Sequence, residues 1–398
     1  MHTSDLRIAL FSGNYNYTRD GANQALNRLV GSLLAKGAAV RVYAPKVASP
    51  DFAPTGDLVG LPNVPMPVKG RGEYRMPTHL GAAVKRDLEA FRPNIVHLSS
   101  PDPAAHAALR WARAQGVPVL ASVHTRFETY PRYYKMAFLE PLIVKGLRRF
   151  YNRCDALVAP SQSMIDELLA MRMHDHIGLW SRGVDRTIFS SARRDPEWRC
   201  NLGLADGDVA IVFLGRLVME KGLDVFAETI VRLRDAGAPH KVLVIGDGPA
   251  RGWFETNMPG AIFAGFKTGE ALGQALASGD VFFNPSVTET FGNVTLEAMA
   301  SGLPVVAAGA TGSASLVADG ITGRLVSPSG SKESDAAAFA AALAPYCIDP
   351  ALRTAHGAAG ETRACDYSWE AINQVVADTY VQLIGERERR RSSIDKAA

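Results

Sequence analysis

Cysteine is scarce in this sequence: among 398 residues only Cys154, Cys200, Cys347 and Cys365 carry a thiol, and no two of them form a CxxC pair. Such scattering offers neither a zinc site nor a disulfide framework, so the four are expected as buried apolar residues. Long apolar runs are missing too. The stretch Ile8, Ala9, Leu10, Phe11 is typical, and a membrane-spanning helix needs roughly 18 apolar residues. The opening MHTSDLRIALF enters a strand pattern without the apolar core and cleavage site of a secretory leader, so a cytoplasmic protein is expected. No G-x-G-x-x-G follows the first strand pattern, which leaves a nicotinamide-dependent oxidoreductase unsupported. A large net charge is missing as well, since 43 Lys and Arg stand against 40 Asp and Glu, a balance of +3.

What is present is a chain long enough for two cores of about 150 to 200 residues each. Its 47% hydrophobic and 21% charged content are those of a soluble globular protein. Strand and helix patterns alternate. Strand-like runs cover 6–11, 39–44, 94–99, 118–123 and 155–160, and between the first two lies a helix pattern over 21–37 with apolar residues at 25, 26, 29, 30, 33 and 34. This predicts a parallel sheet covered on both faces, an α/β doubly wound half with its functional loops at the carboxyl ends of the strands. The first such loop, SGNYNYTRDG, has Gly13 and Gly21 where backbone can approach a ligand closely, and Asp20 either orients a hydroxyl or makes a turn. Residues 50–77 are rich in Pro and Gly and read as an irregular excursion. His124 stands where the run 118–123 ends.

The alternation repeats in the second half. The run 209–217 leads to Gly215, Arg216, Glu220, Lys221 and Gly222, so a fork-shaped and a point-like cation can converge on a diphosphate across a strand-to-helix turn. The run 240–245 ends in a turn at Gly246, Asp247 and Gly248, and the run 262–265 leads to Phe266 and Lys267. The chain is organised around NPSVTETFGNVTLEAMASG, where an apolar strand enters a polar bend and a helix opens near Asn293. There the N–H groups of Phe291, Gly292 and Asn293 would form an anion site. Glu289 and Glu297 flank it with seven residues between them. Carboxylates accept hydrogen bonds from hydroxyls, so a ligand with a central diphosphate and a polyol at each end, a nucleotide-sugar, would satisfy both.

Glu289-TFGNVTL-Glu297, followed by AMASGLPVVA, resembles the signature of the retaining nucleotide-sugar glycosyltransferases of family 4. GRL-x2-EKG at 215–222, RGVD-x3-F at 182–189, HTRFETY at 124–130 and YSW at 367–369 extend the resemblance over most of the chain. It implies the GT-B fold, two Rossmann-like domains facing across a cleft: residues 1–190 with a crossing helix at about 368–385, residues 191–367, and a polar basic tail over 386–398. It further implies that His124 contacts the donor sugar and that Arg216, Lys221 and Glu289 act in transfer. The donor would lie against Gly13, Gly21, Gly215, Gly246, Phe266, Lys267, Thr290, Phe291, Gly292, Asn293 and Glu297, with Glu297 holding the ribose. No cofactor and no metal are expected. The DxD string Asp206-Gly207-Asp208 sits ahead of a strand and reads as a turn.

One segment departs from the even charge balance. Arg126, Arg132, Lys135, Lys145, Arg148, Arg149 and Arg153 face only Glu128 and Glu140, and they alternate with aromatic and aliphatic residues including Phe127, Tyr130, Tyr133, Tyr134, Phe138 and Leu142. Mixed basic and aromatic composition predicts peripheral contact with the inner face of the cell membrane, or else a core helix with a solvated basic face. Nucleic acid is disfavoured, since no binding module accompanies the patch. The expected reaction is therefore transfer of a hexose from GDP-mannose or a UDP-sugar to a hydroxyl of a membrane glycerolipid or glycolipid, as in bacterial α-mannosyl- and sulfoquinovosyltransferases. A polysaccharide or soluble acceptor, an epimerase of the same fold, and a non-catalytic membrane-docking protein are the alternatives.

Overall fold

A computed structural model describes residues 1–18, 20–66, 74–129 and 137–395. The chain forms two compact units, one of Met1–Ser181 with Trp369–Ala398 and one of Arg182–Ser368. The division precedes the expected residue 190. Its cause is local: Val184 is buried in the second unit's core with Phe189, and the Val184 N–H donates to the Tyr367 carbonyl at 3.0 Å.

In the first unit, β1 (Arg7–Phe11), β2 (Ala39–Ala44), β3 (Asp57–Gly60), β4 (Asn63–Pro65), β5 (Arg75–Pro77), β6 (Ile95–Leu98), β7 (Val119–Ser122), β8 (Ala156–Ala159) and β9 (Ile177–Leu179) follow in chain order. All but β4 and β5 make one parallel sheet, ordered β3-β2-β1-β6-β7-β8-β9. β6, β7 and β8 are buried at every position and are apolar except at His97 and Ser122, which is why they read as near-continuous apolar runs rather than alternating ones. The helices Gly21–Ala35 and Pro103–Gln115 start on the aspartates Asp20 and Asp102, whose side chains accept from Asn23 N–H and Ala105 N–H. β3 and β9 at the sheet edges, and the antiparallel pair β4 and β5 within the stretch read as irregular, are three or four residues long and partly exposed, so no periodicity announced them.

The last helix extends past its expected end at about residue 385 into the polar basic tail, for it runs unbroken through Trp369–Asp395. Arg387 Nε donates to the Gly116 carbonyl at 3.3 Å, and Arg391 Nη2 donates to the Gln115 and Gly116 carbonyls at 3.2 and 3.1 Å. These cations meet the unpaired carbonyls at the end of the helix Pro103–Gln115, a favourable site for positive charge.

The second unit contains β10 (Ala210–Leu214), β11 (Lys241–Ile245), β12 (Ile262–Gly265), β13 (Val281–Asn284), β14 (Val305–Ala308) and β15 (Gly323–Val326), parallel and ordered β12-β11-β10-β13-β14-β15. One face packs Phe213, Phe226, Phe254, Phe283 and Phe339. The other packs Val212, Phe282, Phe291, Leu296 and Met299. Asp206 to Asp208 is a turn, closed by Ala205 N–H donating to Asp208 Oδ2 at 2.9 Å. Cys154 and Cys347 are buried, whereas Cys200 and Cys365 are exposed, contrary to expectation, because they lie on the outer side of a short helix and at a helix end.

Candidate functional site

The sheet order of the second unit changes direction between β10 and β13. Crossovers to either side of such a point part from one another and leave a crevice beyond the carboxyl ends of the two strands. The loops that follow β10 and β13 carry Gly215, Arg216 and Lys221 on one side and Glu289 to Gly292 on the other.

Both loops depend on glycine backbone. Gly215 has φ 152° and Gly246 has φ 138°, and a Cβ on Gly246 would lie 2.0 Å from the Gly215 carbonyl oxygen. The loops after β10 and β11 thus touch main chain to main chain. After the 3-10 turn Met219–Lys221, Gly222 at φ 74° turns the chain into the helix Leu223–Asp235. The turn sets Lys221 Nζ 2.6 Å from Glu289 Oε1, with the two side chains only 30% and 16% exposed. Arg216 stands exposed one residue past Gly215.

The bend after β13 is held by small polar side chains. Asn284 Oδ1 accepts from Ser286 N–H at 3.1 Å, and Asn284 Nδ2 donates to Thr295 Oγ1 at 3.3 Å. Thr288 Oγ1 donates to the Glu220 carbonyl at 3.2 Å, which ties the bend to the loop carrying Lys221. Sequence reasoning overlooked this scaffold, although Asn-Pro-Ser directly after a strand is a turn-forming string. Gly292, at φ 91°, precedes the helix Asn293–Ala300 and provides no side-chain cap. The first-turn N–H groups, which no helix pairs internally, thus receive no cap from the residue before Asn293, as an anion site requires. Asn293 and Glu297, four residues apart, share its partly exposed face. Gly312, in the short helix Thr311–Leu316 that follows β14, braces the bend so closely that a Cβ there would come within 2.7 Å of Phe291 C and 2.9 Å of Glu289 Cβ.

Phe266 and Lys267 follow β12, at the sheet edge two strands from β10. Phe266 is 69% exposed, and Lys267 Nζ lies 6.0 Å from the Trp198 ring centre.

The remaining expected residues belong to the first unit. Gly13 N–H donates to Ser100 Oγ at 2.9 Å, and Ser100 Oγ donates to Asp102 Oδ2 at 2.6 Å. Burial pushes the Asp102 carboxyl up to about 6, partly offset by its hydrogen bonds from Ser100 and the Ala105 and Ala104 N–H groups. Gly21 begins a helix, and Asp20 is taken up as its cap, with Oδ2 also accepting from Asn14 Nδ2 at 3.2 Å. His124 lies two residues past β7, half-buried, its Nε2 2.8 Å from Ser122 Oγ.

The basic aromatic segment divides into parts. Arg126 is bound to Glu128 at 2.8 Å and to Glu167 at 2.5 Å, and Leu147, Phe150 and Tyr151 are core residues. Exposed are Phe138 at 77%, in the 3-10 turn Ala137–Leu139, and Leu142 at 67%, with Lys145 and Arg149 three and seven residues further along the helix Glu140–Tyr151 that follows the turn. Tyr130, Arg132, Tyr133, Tyr134 and Lys135 lie outside the described residues.

Comparison with known proteins agrees with this geometry. The model "Glycosyltransferase Family 4" matches residues 19–187, and "Glycosyl transferases group 1" matches residues 208–347. A GDP-mannose-dependent alpha-mannosyltransferase of Mycolicibacterium smegmatis is 30% identical over 97% of this chain and 100% of its own length. The chain belongs to glycosyltransferase family 4. Within that family it is also similar to sulfoquinovosyl transferase SQD2 of Arabidopsis thaliana, 33% identical over 73% of this chain and 57% of that one. The alpha-monoglucosyldiacylglycerol synthase of Acholeplasma laidlawii is 21% identical over 76% and 80%. Among solved structures, sucrose-phosphate synthase from Thermosynechococcus elongatus superposes with TM-score 0.76 at 20% identity, covering 95% of this chain and 99% of that one. Anabaena HepE in complex with UDP-glucose does so with TM-score 0.68 at 18% identity, covering 94% and 99%. The fold of this glycosyltransferase is thus GT-B, two Rossmann-like units.

Proposed function

We propose that this family 4 enzyme is a metal-independent, retaining hexosyltransferase that uses GDP-mannose or a UDP-sugar and glycosylates a hydroxyl of a membrane glycerolipid or glycolipid. The observation that carries the reading is the Lys221–Glu289 pair beside the uncapped start of the helix Asn293–Ala300, at the point where the sheet order reverses. A cation and open N–H groups suit a diphosphate, and the carboxylate suits sugar hydroxyls.

In this reaction the bond between the anomeric carbon and the diphosphate oxygen breaks, and negative charge grows on the leaving group. Arg216, Lys221 and the helix start meet that charge, each charged donor lowering the barrier by about 3 to 4 kcal/mol. The acceptor oxygen attacks on the face that the diphosphate leaves, and its proton passes to the departing phosphate, which preserves the anomeric configuration. Donor binding exchanges the Lys221–Glu289 contact for phosphate on Lys221 and sugar hydroxyls on Glu289. Glu297 holds the ribose, Phe266 and Lys267 border the base, and Gly13 and Gly21 keep the first-unit loop slim beside the substrates. His124 bonds a hydroxyl of the transferred sugar.

The acceptor class rests on the relatives' names and on the exposed stripe of Phe138, Leu142, Lys145 and Arg149, which matches an interfacial helix whose apolar residues enter a bilayer beside basic ones. A thermal-shift screen with UDP, GDP and their sugars comes first, since a ligand selective for the native state raises Tm by mass action. Transfer onto vesicles containing diacylglycerol follows, with EDTA present and with the anomeric configuration of the product read by NMR. An inverted product, loss of transfer in EDTA, or transfer confined to soluble acceptors overturns the corresponding part of the proposal.

A further inference from the structure

Three buried side chains of the first unit stand in line behind His124. The Tyr380 hydroxyl, on the last helix, is 2.5 Å from His97 Nδ1 in β6, although the two residues are 283 apart in the chain. His97 Nε2 is 2.7 Å from Ser122 Oγ, the last residue of β7, and the same oxygen is 2.8 Å from His124 Nε2. Tyr380 and His97 are sealed from solvent and Ser122 nearly so. Trp180 closes the line, edge-on to His97 at 5.8 Å and to His124 at 5.3 Å.

Counting hydrogens gives this line a direction. A tyrosine hydroxyl has one hydrogen to donate, a neutral imidazole has one donor and one acceptor nitrogen, and a serine hydroxyl has one hydrogen and two lone pairs. Burial keeps His97 neutral by pushing its pKa down to about 3. Among the described residues the Tyr380 hydroxyl meets no hydrogen-bond partner other than His97. Were the His97 hydrogen on Nδ1, it would point at the Tyr380 oxygen and leave the phenolic hydrogen buried without an acceptor, at the full cost of its desolvation. Every group is satisfied in one arrangement: Tyr380 O–H donates to His97 Nδ1, His97 Nε2–H donates to Ser122 Oγ, and Ser122 O–H donates to His124 Nε2.

The geometry points to a relay from Tyr380 through His97 and Ser122 that locks His124 in the tautomer with its hydrogen on Nδ1, making that nitrogen a donor to a hydroxyl oxygen of the transferred sugar. The inference rests on the role given to His124 in the proposed function. Tyr380, His97 and Ser122 are positioning residues, and a helix at the far end of the chain thereby sets the chemistry of a residue next to β7.

The test is long-range proton–nitrogen NMR of the full chain labelled with 15N-histidine, its signals assigned with His97→Gln and His124→Gln. In the native protein His124 Nε2 is expected at the shift of an unprotonated nitrogen and His97 Nε2 at that of a protonated one. Ser122→Ala removes the donor to His124 and is expected to spread it over both tautomers, with kcat about threefold to tenfold lower, as one lost hydrogen bond predicts, and donor KM within twofold. Tyr380→Phe is expected to act in the same direction, and Ser122→Thr, which keeps a hydroxyl, to restore both readouts. A native His124 with its hydrogen on Nε2, or a tautomer ratio unmoved by Ser122→Ala, overturns the relay. A changed ratio with an unchanged rate supports the relay and overturns instead the role of His124 in transfer.

Discussion

Gly312→Ala tests whether the bend carrying Glu289 is held from behind. The added methyl would lie 2.7 Å from Phe291 C, 2.8 Å from Phe291 O and 2.9 Å from Glu289 Cβ, where ordinary contact begins near 3.4 Å. Two of the three atoms are backbone, so no side chain can swing aside, and the bend has to retreat by about 0.5 to 0.7 Å, an overpacking that costs about 1 to 3 kcal/mol. In a unit of this size each kcal/mol lowers Tm by roughly 2 to 4 °C, so a fall of about 2 to 12 °C is expected. The displacement also carries Glu289 and the start of the helix Asn293–Ala300, and a misplacement of about 1 Å can cost 10²-fold in rate. We therefore expect donor kcat/KM to fall about tenfold or more and the thermal shift given by UDP or GDP to shrink. Gly252→Ala is the control, because nothing lies within 4 Å of its Cβ position in the helix Arg251–Asn257, and it is expected to stabilise by about 0.5 to 1 kcal/mol with activity unchanged. A Gly312→Ala enzyme with native Tm and kcat/KM would refute the bracing.

Lys221→Ala is expected to lower kcat by about 10²- to 10³-fold with little change in donor KM, and Glu297→Ala mainly to raise donor KM; steady-state kinetics showing the reverse would exchange the two roles. His97 predicts acid sensitivity. Its folded pKa of about 3 lies below the unfolded value of 6.5, so below about pH 6.5 the unfolded chain binds the proton that the folded chain refuses, and stability falls by about 1.4 kcal/mol per pH unit until about pH 3. Denaturant titrations between pH 7 and 5 should show that slope reduced in His97→Gln, and an equal slope in both proteins would contradict the buried neutral imidazole. Replacing Phe138 and Leu142 together by serine is expected to weaken binding to anionic vesicles about tenfold or more while leaving the thermal shift with nucleotide untouched, since each apolar side chain withheld from the bilayer forfeits about 1.5 to 3 kcal/mol. Unaltered vesicle binding would remove that stripe from the membrane contact.

Much of this architecture is legible from residues alone, for a physical reason. The central strands β6, β7, β8, β10, β11 and β13 are covered on both faces and are therefore mostly apolar, so they appear as near-continuous runs, with polar exceptions such as His97, Ser122 and Asn284 that have hydrogen-bond partners. The loops with Lys221 and Glu289 were readable because strand, bend and helix follow within a few residues. Illegible were features made by contacts between distant segments. Nothing near Glu289 announces that Gly312 presses on it, and nothing near His97 indicates Tyr380. Arg126 looked like part of an exposed basic patch, yet it is held by Glu128 and Glu167, a fact of packing that composition does not contain. The run of arginines near the end of the chain read as a polar tail separate from the last helix because its partners, the carbonyls of Gln115 and Gly116, are more than 270 residues away.

The first unit is built from both ends of the chain, while the second is one continuous stretch, Arg182–Ser368. During synthesis the second unit therefore has its whole sequence available before the first has received its last helix. Until that helix emerges, His97 has no tyrosine to bond and the groove that will take Tyr380 stays open to water. A ribosome that stops near residue 368 would release a chain with an intact sheet around Lys221 and Glu289 but with the first unit unsealed. The first unit is thus sealed only when a helix from the other end of the sequence brings Tyr380 to His97.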